Sequence, residues 1–105
     1  MKIEHILKEF KEKTAELYGV RLKKVVLYGS YARGQANDEH SDIDLAVVLA
    51  GTVKPCREID RMIDIITDIN LDYDVLLSVY PVSEDDYRSV NSPLLLNLRR
   101  EGIPA

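Results

Sequence analysis

The sequence predicts an α/β domain, a small β-sheet of at least three strands with helices flanking it. Two observations carry this. Short apolar, β-branched runs at Lys24 to Tyr28, Asp42 to Ala50 and Asp72 to Tyr80 have the length and composition of strands. Between them lie stretches whose apolar residues recur every three or four positions, and strands alternating with helices build α/β layers. The 105 residues suit one domain and are too few for two.

Each element has its own signal. Ile3, Ile6, Leu7, Phe10 and Leu17 form one face of a first helix, which Gly19 stops. The run Lys24 to Tyr28 ends at Gly29, and Ser30 to Arg33 opens a short helix. Residues 34–41, GQANDEHS, are polar turn material. Asp42 to Ala50, DIDLAVVLA, is the clearest strand, and Gly51 ends it. Pro55 suits the first turn of a second helix with Ile59, Met62, Ile63, Ile66 and Ile69 as its apolar stripe. Asp72 to Tyr80 reads as a third strand closed by Pro81. Ser83 and Asp86 have capping-box spacing, with Asp where Glu or Gln is usual. Ser92 and Pro93 begin a last helix through Arg100, stopped by Gly102, whose leucines read first as core. Three strands are few for a free-standing sheet, so both sheet edges are candidate partner surfaces.

Composition excludes several classes. Hydrophobic residues at 46% and charged residues at 30% argue against disorder. The net charge of −4 argues against a dedicated nucleic-acid binder, because such affinity comes mainly from neutralising phosphates. A lone Cys56 allows neither an intramolecular disulfide nor a cysteine zinc site. The start of the chain lacks the apolar block of a signal peptide, and the longest apolar run, Leu45 to Ala50, is far short of a membrane span. A cytoplasmic protein is expected.

The chemistry concentrates in three places. Asp42 and Asp44 are two apart on a predicted strand, so they share a face about 6.6 Å apart at roughly 3.3 Å per residue. Two carboxylates so placed repel unless a cation bridges them, and magnesium suits hard oxygen ligands plus phosphate. A third acid on a neighbouring strand would complete a site for two ions. Asp72 and Asp74 both offer one; Asp74, deeper in the predicted strand, is preferred. Gly29 permits close backbone approach, Ser30 adds a hydroxyl donor, and Arg33 follows one helical turn later, an arrangement that can hold a polyphosphate. His5 and His40 read as solvated residues, Tyr28 and Tyr31 as packing groups. Lys54 and Arg57 could face the triphosphate but are equally explained as a solvated helix start.

The stretch GSYARGQANDEHSDIDLAVVL, residues 29–49, resembles the signature of the DNA polymerase β-like nucleotidyltransferase superfamily, and in detail its minimal, stand-alone branch. The order of elements and the closing NSPLLLNLRREGI also resemble that branch, so the likeness covers residues 1–105 as one minimal nucleotidyltransferase domain. The resemblance implies a small mixed sheet with flanking helices. It implies that Gly29 and Ser30 hold a triphosphate, that Asp42 and Asp44 ligate magnesium, and that a later strand carboxylate, Asp74 or Asp72, is the third acid. It implies ATP as donor, two magnesium ions, and a protein partner: stand-alone members are commonly antitoxins that adenylylate a tyrosine of a HEPN-domain RNase toxin. A homo- or hetero-oligomer is compatible with so small a chain. Two other functions compete, transfer to a small molecule and a non-catalytic antitoxin that works by contact alone.

Overall fold

The computed structural model describes residues 2–34 and 42–105. The turn expected over 34–41, with His40, therefore lies outside the described residues except for Gly34. The chain runs α1 (Lys2–Tyr18), a 3₁₀ turn (Gly19–Arg21), β1 (Leu22–Tyr28), α2 (Gly29–Ala32) and β2 (Ile43–Leu49). It continues through α3 (Pro55–Tyr73), β3 (Leu77–Ser83), α4 (Glu84–Ser89), α5 (Pro93–Glu101) and β4 (Ile103–Pro104). The strands form one mixed sheet in the order β3-β2-β1-β4. β1 is antiparallel to both β2 and β4, and β2 is parallel to β3 through the α3 crossover.

Strand alternation sorts the core into two layers. On one face Val25, Leu27, Ile43, Leu45, Val47, Leu49 and Leu77 pack against Ile6, Phe10 and Tyr18 of α1 and Met62, Ile66 and Ile69 of α3. On the other, Val26, Ala46, Val48 and Val82 pack against Leu95 and Leu98 of α5. The middle of β2 is thus covered on both sides, which explains its unbroken apolar run. The leucine-rich last helix divides as its stripe dictates: Leu95 and Leu98 are buried, Leu94 is exposed.

Two expectations change, and one strand is added to the expected minimum of three. The third strand starts at Leu77, not Asp72, because α3 runs on to Tyr73. Tyr73 extends the helical stripe and its hydroxyl donates to Glu9 Oε1 of α1 at 3.2 Å. Asp74 then adopts a left-handed conformation (φ 52°, ψ 53°) as the C-cap, and its N–H and that of Val75 both reach the Asn70 carbonyl. Second, Pro81 lies inside β3 instead of closing it. β3 is an edge strand, and the Ile43 N–H to Leu76 O bond sets the even-numbered residues toward β2, so Pro81 faces the open edge where no N–H is needed. On that same edge the Leu77 N–H donates to Asn70 Oδ1 at 2.9 Å. The added fourth strand, β4, pairs with Val26 and Leu27 of β1.

β4 turns off α5 at Gly102, whose φ of −66° is open to any residue. Space is the constraint: a Cβ there would overlap the Leu98 carbonyl oxygen and Val26 Cγ1. Gly102→Ala is expected to destabilise the fold by about 1–3 kcal/mol through overpacking, read as a lower urea midpoint at unchanged m-value.

Candidate active site

The site is built where the end of β1 meets the start of β2. Their antiparallel register sets Tyr28 opposite Asp44, so the chain leaves β1 at Gly29 beside the Asp44 side chain. Gly29 takes φ +70°, in the left-handed region that L side chains avoid. A Cβ on Gly29 would run into Asp44 Oδ2 and stand 3.1 Å from its Cγ. The missing side chain of Gly29 is therefore the space the Asp44 carboxylate occupies. Ser30 follows, half-buried, with no hydrogen-bond partner for its hydroxyl among the described residues.

Asp44 lies on the same sheet face as Ala46 and Val48, beyond the part covered by α5. Burial raises its carboxyl above the ordinary aspartate range, the nearby Asp42 carboxylate raises it further, and Arg33 partly offsets both. Asp42 is exposed, just ahead of the strand. The same crowding pushes the Tyr28 hydroxyl up to about 12, through burial first and then the negative charge of Asp44, with Tyr80 adding to it. Arg33, whose N–H bonds to the Gly29 carbonyl at 3.2 Å, also pairs through its guanidinium with Glu101 at the end of α5, 3.5 Å away.

Gly29, Ser30, Arg33, Asp42 and Asp44 are thus gathered at one place. Asp74 and Asp72 are not on β3 at all: Asp72 is on the last turn of α3 and Asp74 caps it, both exposed. The parallel register sets Ser78 opposite Asp44, and alternation turns Ser78 to the same face. Ser78 is therefore the β3 residue that stands beside Asp44 across the strand pair. Among the described residues no three Asp, Glu, His or Cys side chains converge as a metal-ligand set. The Asp42–Asp44 pair, two acids crowded together and only partly offset by Arg33, fits one magnesium ion sharing its remaining positions with phosphate. The described residues do not assemble a three-acid site for two ions. Ser78 could not be picked out from sequence, because its role depends on where β3 begins.

Lys54 and Arg57 are also placed elsewhere. They flank the start of α3, past the other end of β2 from Asp44. Tyr31 packs against the larger core layer and Tyr28 against the smaller, as expected of packing groups. His5 is exposed, and no helix among the described residues is long and apolar enough to cross a membrane.

Comparison with known proteins bears on the family and the fold. The family model described as "Nucleotidyltransferase domain" matches residues 7–92, a span that contains every residue of the site. Two Methanocaldococcus jannaschii proteins, each named "Putative protein adenylyltransferase", are similar to this chain. One is 36% identical over 103 residues, covering 97% of this chain and 96% of the relative. The other is 38% identical over 78 residues, covering 74% and 77%. Among solved structures, a toxin–antitoxin crystal structure with AMP-PNP shares the fold at a TM-score of 0.62 and 21% identity, covering 90% of this chain and 68% of that one. A variant of the toxin–antitoxin MntA–HpeT does so at 0.60 and 19%, covering 96% and 69%. With its glycine-serine bend seated against a paired carboxylate, and with a family match across most of its length, the chain belongs to the nucleotidyltransferase domain family.

Proposed function

We propose that this nucleotidyltransferase transfers AMP from ATP to a hydroxyl group of a partner protein, as the antitoxin of a HEPN-domain RNase toxin, in the cytoplasm. The observation that carries the reading is the seating of Asp44 on Gly29, with Asp42 and Ser30 beside it. That arrangement puts a cation-binding carboxylate pair next to a bend with a free hydroxyl donor. The names of the M. jannaschii relatives support protein adenylylation, and the AMP-PNP and toxin–antitoxin neighbours support the donor and the kind of partner.

In this reading Ser30 and the bend at Gly29 hold the triphosphate, and Arg33 exchanges Glu101 for a phosphate oxygen. Asp42 and Asp44 hold magnesium, which when bound supplies charge neutralisation at the phosphates and lowers the pKa of the acceptor hydroxyl. The acceptor oxygen bonds to the α-phosphorus, the bond to pyrophosphate breaks, and the hydroxyl proton leaves to water. The domain offers little room for an acceptor pocket of its own, which suits a site completed by a docked protein.

Ser78 favours one other reading. Without a third carboxylate on β3, the chain would neutralise its partner by contact alone. Incubation with α-labelled ATP, magnesium and the product of the adjacent gene separates the two. Label is expected on the partner protein, and Asp42→Asn is expected to lower transfer by on the order of 10²-fold or more while the complex still forms. A tight complex that never takes label would decide for contact alone, and label only on small hydroxyl compounds would decide for a small-molecule acceptor.

A further inference from the structure

A second charged site lies beyond the far end of β2. Asp44 and Leu49 are five residues apart on that strand, roughly 17 Å at about 3.3 Å per residue, and this cavity begins past Leu49. Its volume is about 230 Å³, and it is lined by Arg21, Thr52, Lys54, Arg57, Glu58 and Arg61. Four cations thus face one carboxylate in a chain whose net charge is −4.

That carboxylate is committed inward. Glu58 is only 3% exposed. Its Oε1 accepts from the Tyr18 hydroxyl at 2.9 Å and lies 3.6 Å from Arg61, while Oε2 lies 3.8 Å from Arg21. Arg21 is fixed in turn: its Nε donates to the Ala50 carbonyl at 3.1 Å and its Nη2 to that of Thr52 at 3.2 Å. This network holds the cavity wall rigid before any ligand arrives. Lys54 and Arg57 have no side-chain partner among the described residues, and the positive end of the α3 dipole beneath them makes their charge harder to bear. One buried carboxylate shared by two arginines leaves the other two cations unneutralised. Both are exposed and uncommitted, so an anion entering the cavity meets two cations with no competing carboxylate of their own.

We infer that this cavity binds a small phosphoryl anion, of the size of orthophosphate or pyrophosphate, apart from the carboxylate face. The cavity, about 230 Å³ and open to solvent on one side, has room for an anion of that size. Forked guanidinium groups and a lysine suit phosphate oxygens.

The test titrates the full chain with inorganic pyrophosphate at constant ionic strength and without added metal, following backbone amide shifts by NMR. Shifts are expected at Thr52, Arg57 and Arg61. Lys54→Ala and Arg57→Ala, both exposed and outside the Glu58 network, are expected to weaken binding by about tenfold each, and Asp44→Asn to leave it unchanged. Shifts confined to Ser30 and Arg33, or an affinity the double variant does not alter, would overturn the inference. So would a response only to an acidic peptide or only to an RNA oligomer, since each would make the cavity part of a macromolecular surface. These readouts need no nucleotidyl transfer, so the outcome stands apart from the function proposed above.

Discussion

Gly29→Ala is expected to abolish most activity and to cost measurable stability, from one methyl group. Two effects act together. An alanine at φ +70° carries strain of about 1–2 kcal/mol, and its Cβ cannot coexist with the Asp44 carboxylate where it now sits. The carboxylate must move, and a displacement of about 1 Å at reacting groups can cost on the order of 10²-fold in rate. Denaturant unfolding and labelled-ATP transfer measure the two losses separately. Combining the change with Asp44→Ala resolves them further: the overlap with the carboxylate disappears in that background, and the backbone strain with a tight 3.3 Å contact to the Cβ at position 44 should remain. If Gly29→Ala kept full stability and activity, the seating of Asp44 against the bend would be wrong.

Asp44→Asn should separate function from stability in opposite directions. Transfer is expected to fall by on the order of a thousandfold, since the better buried of the two paired carboxylates is lost. The fold should gain. Burial, then Asp42, hold the Asp44 carboxyl above the usual aspartate value, with Arg33 offsetting part of this. Its folded-state pKa therefore exceeds the unfolded value of about 3.9, so the native state binds the proton more tightly. Stability contributed by that proton is present below the unfolded pKa and is lost as pH rises through the raised folded value. At pH 7 the ionised carboxylate is a net cost without a bound cation. The asparagine variant should melt higher than the parent at pH 7, and the gap should close on acidification through that window. A variant less stable than the parent at every pH would show that Asp44 is held by stabilising contacts instead.

How much could be read beforehand varies along the chain, for physical reasons. DIDLAVVLA announced β2 because apolar residues, Ile43, Val47 and Val48 among them β-branched, ran from an acidic start to a glycine. Ser92 was legible as a cap because the bond it makes is local: its hydroxyl accepts the Leu95 N–H at 3.3 Å. LDYDV is ambiguous because its alternation satisfies a strand as well as a helix. The Tyr73 to Glu9 contact and the Asn70 cap, one of them across the fold, settled it as the end of α3. β4 left no signal, since two residues carry no period and its pairing with β1 is set by α5 and the fit at Gly102.

The amino-acid order by itself determined the elements whose signals are local, the nearness of Asp42 to Asp44, and the glycine-serine bend, because side-chain periodicity and turn chemistry act over a few residues. Tertiary structure alone decided that Gly29 makes room for Asp44, and that Ser78 and neither Asp72 nor Asp74 stands beside it. Each of those depends on register between strands, and a shift of one residue in register exchanges which side chains meet.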